Sequence, residues 1–390
     1  MKNVFTCILV VTLCCMIYHI PICDFDSQTN SNRIPDKNCL TDLEVVEKTS
    51  PSSGIWTLEY LNGYYYVLGS DGRWRSNNLE SWTALTGISG TADGTGIYAE
   101  NIYVLSAGDM LFWSDNGVDF WDVYTGDCES FQTIIHFDGV FYAFGYNPAK
   151  IIRSEDGISW FEVSTTGYSF HQGFLGHAAT VYGEWIYACE YQGYVIRSND
   201  GIEWAQVHTY LSGAYATRSI CTMDSRVFVI GATVVHYTDT TGANWQTKSL
   251  NVDPNTYLIK PEIFANSIFI CAGRSTGTSY QNARIYQLRT NDYSLESITS
   301  FNAEIANGLV SDSTGLVAST DYGDIFDITI ENDITTTSST TTTTTTMTNT
   351  THSQILIPAE IGFFFGLFGM VIVVGLSAIV LIRRRKRYSM

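Results

Sequence analysis

The chain has 390 residues, with 21 Lys and Arg against 39 Asp and Glu, so its formal net charge at pH 7 is −18. Nucleic acid and anionic lipid attract basic surfaces, and this balance therefore argues against both as partners of the main part of the chain. The stretch from residue 24 to about residue 334 is long enough for one large domain.

Residues 1–23 have the pattern of a secretory signal peptide. Lys2 precedes the apolar run VFTCILVVTLCCMIYHIPIC, and a basic residue before such a run is typical of these signals. No Ala-x-Ala-like site follows, so an uncleaved signal anchor is the alternative. Residues 24–39 then form a short N-terminal extension.

An octapeptide recurs through the middle of the chain at a period near 40 residues. RSEDGISW occupies residues 153–160 and RSNDGIEW occupies residues 197–204, and weaker copies begin at residues 76, 114, 238 and 290. Short aromatic and β-branched segments separated by Gly, Asn and Asp fill each interval. Four short strands at this period are typical of a propeller blade, so we predict an all-β propeller over residues 40–331.

The spacing predicts seven blades, with six as the alternative. Six units begin near residues 54, 94, 131, 177, 215 and 257. The seventh, residues 301–330, supplies only three strands. The isolated strand at residues 40–49 is predicted to complete it, which closes the ring and leaves no open edge.

The octapeptide is predicted to stabilise the turn between the third and fourth strands of a blade. Its Asp accepts hydrogen bonds from the turn backbone, its Ser adds another, its Gly supplies a positive φ, and its Trp packs between blades. In the two clearest copies these residues are Ser154, Asp156, Gly157 and Trp160, and Ser198, Asp200, Gly201 and Trp204. The weaker copies place Leu79 at the Gly position and Thr240 at the Asp position.

Ser-x-Asp-Gly-x-x-Trp resembles the Asp-box, also called the bacterial neuraminidase repeat, in a form one residue shorter. The resemblance covers about residues 70–300 and implies a sialidase-like propeller, in which this turn lies on the side away from the ligand face. The box is shared by sialidases, sortilin-type receptors and many proteins that are not enzymes. It therefore implies fold far more strongly than activity.

Sialidases of this kind need three arginines for the substrate carboxylate. Arg33 lies in an Arg-Ile-Pro tripeptide, but Asn32 precedes it where those enzymes have Phe or Tyr. Arg75, Arg153 and Arg197 recur at one place in each blade, which suggests structural repetition instead of convergence on one ligand. We expect a protein that is not an enzyme and that binds no cofactor or metal.

A ligand is predicted to bind on the face formed by two sets of connections. One set joins the second and third strands, and the other joins the fourth strand to the next blade. Aromatic side chains with polar neighbours in long connections suit sugar stacking or protein contact. The alternative is that they only cap the central channel. The predicted binding residues are Tyr168, His171, Tyr210, Tyr215, Tyr257, Arg274, Tyr280 and Asn282.

Six cysteines remain besides Cys7, Cys14 and Cys15 of the signal, an even number that suits an oxidising compartment. Cys23–Cys39, if Cys23 survives cleavage, and Cys189–Cys221 are the two disulfides that we consider. Cys189, Cys221 and Cys271 lie in apolar strands, so buried free thiols are the alternative for them.

The end of the chain predicts a type I single-pass protein of the plasma membrane with an extracellular propeller. Residues 332–356 form a Ser/Thr-rich stalk that carries Asn349, an N-glycosylation acceptor. Residues 361–382 are uncharged and long enough for a transmembrane helix. Residues 383–390 begin with RRRKR, which marks the cytoplasmic side.

These predictions fit three functions. The first is a cell-surface recognition or adhesion glycoprotein that binds an extracellular glycan or protein. The second is a passive structural surface-coat glycoprotein. The third, as an outsider, is a membrane-anchored glycosidase of the sialidase type.

Overall fold

The computed structural model describes residues 43–330, apart from residues 90–93, 165, 172, 210–218, 232, 253–255, 275–282 and 304. Of Tyr257 and Arg274 it describes the backbone alone. The predicted signal peptide, N-terminal extension, stalk, membrane span, tail and Asn349 lie outside the described residues. Within the described part of the chain, no helix is long and apolar enough to cross a membrane.

The described chain consists of short strands joined by tight turns and a few longer connections. The strands are β1 (Leu43–Lys48), β2 (Ile55–Leu61), β3 (Tyr64–Gly69), β4 (Arg73–Ser76), β5 (Thr83–Ala84), β6 (Gly96–Ala99), β7 (Ile102–Ala107), β8 (Met110–Ser114), β9 (Trp121–Thr125), β10 (Ser130–Phe137), β11 (Val140–Tyr146), β12 (Lys150–Ser154), β13 (Phe161–Glu162), β14 (Ala179–Tyr182), β15 (Trp185–Glu190), β16 (Tyr194–Ser198), β17 (Ala205–Thr209), β18 (Ser219–Met223), β19 (Arg226–Ile230), β20 (Val234–Thr238), β21 (Trp245–Ser249), β22 (Thr256–Phe264), β23 (Ser267–Arg274), β24 (Ala283–Leu288), β25 (Leu295–Phe301), β26 (Ala306–Ser311), β27 (Gly315–Thr320) and β28 (Ile325–Ile330).

These strands form seven antiparallel sheets of four strands, and each sheet is one blade of a ring. Blades 1 to 6 take four consecutive strands each, from β2–β5 to β22–β25, and blade 7 combines β26, β27 and β28 with β1. Neighbouring blades contact each other through their first strands, in a series that runs from β2 through β6, β10, β14, β18, β22 and β26 back to β2. The predicted all-β propeller is confirmed, with seven blades and not six.

The N-terminal strand closes the ring. β1 runs antiparallel to β28, with Leu43 opposite Ile330 and Lys48 opposite Ile325. Blade 7 therefore takes its outer strand from the start of the described chain and its three inner strands from the end. The predicted pairing of the isolated strand with the three-strand unit is confirmed.

The second strand of each blade is buried on both faces, because sheets of the neighbouring blades cover it. In β11, five consecutive residues from Phe141 to Gly145 are buried. The apolar clusters cross the boundaries between blades: Val104 and Leu111 of blade 2 pack with Phe141 and Ile152 of blade 3. The sequence of a strand that is buried on both faces is a continuous apolar run and does not alternate between apolar and polar residues.

The turn in the octapeptide has the hydrogen bonds that its sequence predicts. Asp156 Oδ1 accepts from the backbone N–H groups of Ile158 at 2.8 Å and Ser159 at 2.7 Å, and Ser154 Oγ donates to the same oxygen at 2.9 Å. Partial burial opposes ionisation, but the N–H groups of Ser159 and Ile158 outweigh it and hold the pKa of the Asp156 carboxyl at about 2. The same bonds recur around Asp200 in blade 4.

The Trp and Gly of the motif join each blade to the one before it. Trp204 of blade 4 is buried against Phe144 of blade 3, with ring centroids 6.1 Å apart. Tyr142 of blade 3 donates its hydroxyl proton to the Asp200 carbonyl at 3.1 Å, and its ring lies where a Cβ on Gly201 would stand, 2.2 Å away. Gly201 therefore supplies a positive φ of 72° and also the space for this ring.

Two weaker copies fill that space with their own side chains. Leu79 has a φ of 61° and belongs to an apolar cluster with Val317 of the preceding blade. Tyr293, with a φ of 58°, stacks on Tyr237 of blade 5 at 3.8 Å. An ordinary side chain in this left-handed conformation costs free energy, which is offset here by burial against the neighbouring blade.

The prediction that Thr240 takes the Asp position in blade 5 is wrong. Asp239, one residue earlier, anchors this turn and accepts from the backbone N–H groups of Thr241 at 3.0 Å and Ala243 at 3.3 Å. The turn is one residue longer than the others, and Asp239 accepts from N–H groups two, four and five residues further on, whereas Asp156 accepts from those two and three residues further on.

Replacing Leu79 by Gly, which restores the residue of the better copies, is expected to destabilise the protein. Removing the left-handed strain gains about 1 kcal/mol, whereas losing a buried leucine side chain costs about 3 kcal/mol, so the net loss is about 2 kcal/mol. Chemical denaturation of the purified protein measures this change. The matched control is Ser225→Gly. Ser225 is exposed and has a φ of 58° in another turn, so its replacement is expected to leave the stability unchanged or slightly higher. A gain in stability for Leu79→Gly would contradict this account of its packing.

The conceivable Cys189–Cys221 disulfide is absent. Cys128, Cys189, Cys221 and Cys271 are buried free thiols. Cys189 packs in a cluster formed by residues of blades 3, 4 and 5, whereas Cys221 packs in a separate cluster formed by blades 5 and 6, so the two side chains lie in different parts of the core. Burial raises the pKa of the Cys189 thiol to about 12, which keeps it protonated and unreactive at neutral pH.

Candidate ligand-binding site

The predicted binding face is formed by connections on one side of the ring, called here the loop face. Between blades 3 and 4 this face is built from the segment that joins β13 to β14. Gly173 forms a bridge with Tyr146 at the end of β11, and its carbonyl accepts the N–H of Tyr191 at 2.9 Å. The segment is therefore held between the second-to-third loops of two neighbouring blades.

A buried carboxylate lies beneath this segment. Glu190 is the last residue of β15, and its side chain is fully buried. Tyr168 donates its hydroxyl proton to Glu190 Oε2 at 2.7 Å, and His171 Nδ1 lies 3.1 Å from the same oxygen. The backbone N–H of His171 donates to Glu190 Oε1. These contacts order both side chains, because a buried carboxylate requires hydrogen-bond donors.

The hydroxyl of Tyr168 is held in its neutral form. Burial raises its pKa well above the usual value, and the hydrogen bond to the Glu190 carboxylate raises it further. Tyr168 is consequently a hydrogen-bond donor at every physiological pH. Its hydroxyl also lies 3.2 Å from His171 Nδ1, so the three side chains share one connected hydrogen-bond network.

Aromatic rings surround this network and form an aromatic face. His171 stacks on Tyr194, with centroids 5.0 Å apart and 23° between the rings, and Tyr168 meets Tyr194 edge to face at 6.3 Å. Tyr146 and Tyr191 make a second edge-to-face pair at 5.8 Å. The His171 side chain is 43% exposed, so this ring is open to a ligand. We define the aromatic face as Tyr146, Tyr168, His171, Tyr191 and Tyr194.

The structure therefore brings together two of the predicted binding residues, Tyr168 and His171. The backbones of Tyr257 and Arg274 lie in the paired ends of β22 and β23, where Tyr257 is opposite Gly273. Tyr210, Tyr215, Tyr280 and Asn282 lie outside the described residues.

Sequence reasoning did not identify Glu190, Tyr194, Tyr146 or Tyr191 as parts of this site. One signal was present in the sequence. Glu190 ends the apolar run WIYAC just before a loop, and an acidic residue in that position is either exposed at the strand end or buried with donors.

The predicted repetition of the arginines agrees with their positions on three third strands. The guanidinium of Arg75 lies 4.4 Å from the Tyr64 ring centroid, and that of Arg197 lies 4.2 Å from the Trp185 ring centroid. Arg75 also donates to the carbonyl of Asn116 in the next blade at 3.0 Å. Arg75 and Arg197 thus make contacts within the wall of the propeller and do not meet each other.

A buried ion pair joins the first strands of blades 6 and 1. Lys260 Nζ of β22 donates to the Leu58 carbonyl at 2.9 Å and lies 2.9 Å from Glu59 Oε2 of β2, and Thr95 donates to the other Glu59 oxygen at 3.2 Å. Because blade 7 separates blades 6 and 1 in the ring, this contact joins two blades that are not neighbours.

His177 is also in this region and does not join His171. Burial lowers the pKa of the His177 imidazole well below its usual value, and the nearby Lys260 ammonium lowers it further. Among the described residues, no group of three or more His, Cys, Asp or Glu side chains is arranged to hold a metal ion.

No protein-family model matches the chain, and no curated protein sequence matches it. Solved structures share its fold. Virginiamycin B lyase from Staphylococcus aureus is 12% identical, with a TM-score of 0.59 over 74% of this chain and 99% of that one. The extracellular domain of the putative one component system BT4673 from B. thetaiotaomicron is 9% identical, with a TM-score of 0.57 over 73% and 40%. The WD40 β-propeller domain of Doa1 is 11% identical, with a TM-score of 0.53 over 75% and 98%. Identities this low establish the propeller fold alone.

Proposed function

We propose that this chain is a cell-surface recognition protein whose propeller binds an extracellular glycan on the aromatic face. The observation that carries the proposal is the ring surface of His171, Tyr168 and Tyr194 arranged over the buried Glu190 carboxylate. In this proposal a stalk and a C-terminal membrane helix hold the propeller outside the cell, as the sequence of residues 332–382 predicts.

A glycan suits this surface for two physical reasons. Sugar rings have apolar faces that stack on aromatic side chains, and their hydroxyls exchange hydrogen bonds with groups such as the Tyr168 hydroxyl and the His171 imidazole. The network under the rings holds these side chains in place before a ligand arrives, which lowers the entropic cost of binding.

The motif supports a further part of the proposal, that the chain is a non-enzymatic relative of the Asp-box propellers. The clear copies carry Ser, Asp, Gly and Trp in one turn of the blade. The motif arginines Arg75 and Arg197 are engaged with aromatic rings of their own blades, which leaves them unsuited to holding a substrate carboxylate. Incubation with a fluorogenic sialoside is expected to give no turnover.

The binding test uses the full-length chain displayed on cells, with a panel of fluorescent glycans. Replacing His171 or Tyr194 by Ala is expected to weaken binding of the recognised glycan by about tenfold or more, because a stacked ring is lost. Trp121→Ala is the matched control, since Trp121 is 50% exposed on β9, away from the aromatic face, and this variant is expected to bind normally.

Two results would count against the proposal. If properly folded, displayed protein bound none of the glycans, the glycan proposal would fail and protein adhesion or a passive surface coat would remain. If the His171 and Tyr194 variants bound as well as the Trp121 variant, the ligand would have to lie elsewhere on the ring. Surface antibody staining of each variant establishes that it reaches the cell surface.

A further inference from the structure

Two histidines meet at the interface between blades 4 and 5. His208 lies on β17, the outer strand of blade 4, and His236 lies on β20, the third strand of blade 5. His208 Nε2 is 3.1 Å from His236 Nδ1, and the Thr247 hydroxyl is 2.9 Å from the same His236 nitrogen. His208 also lies flat on Trp245, with centroids 4.7 Å apart and 9° between the rings.

This contact depends on the charge of the two rings. In either arrangement of protons, one of the two facing nitrogens donates and the other accepts, so the neutral pair shares one proton. One further proton gives one ring a positive charge and can still leave a single N–H between the two facing nitrogens. When both rings are protonated, two N–H groups stand face to face and two positive charges lie side by side. Because His236 is only 5% exposed, water cannot screen these charges well.

The register places Thr247 and Trp245 on the same face of blade 5 as His236, and Lys248 on the opposite face. The charged and titratable groups on the strands of blades 4 and 5, besides the two histidines, are Tyr182, Tyr187, Cys189, Glu190, Tyr194, Arg197, Cys221, Arg226, Tyr237 and Lys248. The Glu190 carboxylate lies at the end of β15, where Tyr168 and His171 hold it. Asp239, in the nearby turn, is held by Thr241 and Asn244.

We propose that the contact between blades 4 and 5 is acid-sensitive and that it opens when both facing imidazoles become charged. This inference rests on the geometry of the two blades and is independent of the ligand. Burial first, and the neighbouring His208 second, lower the pKa of His236 to about 4, and burial also lowers the pKa of His208.

The lowered pKa values determine how the stability of the contact changes with pH. A histidine whose pKa is lower in the closed contact than in the open one stabilises the contact fully above the ordinary pKa of about 6.5. The stabilisation is lost as the pH falls from about 6.5 towards 4. For an open-state pKa of about 6.5, the opening equilibrium is expected to rise about tenfold between pH 7.5 and pH 5.5.

The test is amide hydrogen exchange of the full-length protein at pH 7.5 and pH 5.5, corrected for the intrinsic effect of pH on exchange. Peptides that cover β17 and β20 are expected to gain about tenfold in relative exchange rate at pH 5.5. Peptides from blade 2 are expected to keep their corrected rates. Equal changes in all blades, or no change in β17 and β20, would overturn the proposal.

Variants separate the histidine pair from other acid effects. His236→Gln and His208→Gln retain a hydrogen-bonding side chain without its charge, and each is expected to abolish the pH-dependent gain in β17 and β20. His136→Gln, at a histidine of blade 3, is the control and is expected to keep the wild-type response. If one of the two variants fails to fold, the other variant and the comparison between blades in the wild-type protein still test the proposal. A wild-type response in both variants would overturn the proposal.

Discussion

Replacing Gly201 by Ala is expected to lower the free energy of unfolding by about 3 kcal/mol. Two costs add at this position. The φ of 72° is unfavourable for a residue with a Cβ, and that Cβ would stand 2.2 Å from the Tyr142 ring of the preceding blade. The ring cannot retreat without breaking its hydrogen bond to the Asp200 carbonyl. Urea denaturation monitored by tryptophan fluorescence measures the loss.

Gly63→Ala separates these two costs. Gly63 has a φ of 81°, but no atom lies within 4 Å of the point where a Cβ would stand, so its replacement is expected to cost only about 1 kcal/mol of backbone strain. A Tyr142→Ala background removes the obstructing ring, and Gly201→Ala should then cost about as little as Gly63→Ala. Equal costs for Gly201→Ala with and without Tyr142 would show that the contact between blades plays no part.

The second large effect is expected from Lys260→Met, which should cost about 3–5 kcal/mol. The substitution keeps most of the side-chain volume but leaves the Glu59 carboxylate buried without its cation. Lys260 and Glu59 side chains are only 5% and 12% exposed, so water cannot replace the lost partner. Thermal and chemical unfolding of the variant give the change in stability.

The matched control is Lys48→Met at the more exposed pair with Asp327, whose side chains are 21% and 29% exposed. Its loss is expected to cost less than about 1 kcal/mol. Replacing Glu59 by Gln in the Lys260→Met protein removes the uncompensated charge and is expected to recover much of the stability. If Lys260→Met and Lys48→Met were equally mild, the site of the buried pair would be hydrated well enough to screen Glu59.

The blades could be predicted from the sequence because their signals are local. Ser154, Asp156 and Gly157 are neighbours in the chain, and the bonds that they make close a turn of a few residues. The number of blades followed from the period of this turn. The Gly position of the motif could be predicted only in part. The sequence shows that Leu79 departs from the pattern, but only the packing against blade 7 shows why a leucine is tolerated there.

The centre of the candidate site could not be predicted in the same way. Tyr168 and His171 were identified because their connection is longer than a turn needs to be. Glu190 is about twenty residues away from them in the chain and contacts them through hydrogen bonds. It follows an apolar strand whose sequence resembles that of any core strand. Lys260 and Glu59 are much further apart in the chain, and only the closed ring brings them into contact.

The closure of blade 7 has a consequence for how the chain folds. Blades 1 to 6 are each made of consecutive strands, so their contacts have low sequence separation and can form early. The pairing of β1 with β28 joins opposite ends of the described chain, and we expect its loop-closure entropy to make it the slow step of folding. Until it forms, β28 presents an open sheet edge to other nascent chains, which makes the unclosed ring the species most exposed to aggregation during biosynthesis.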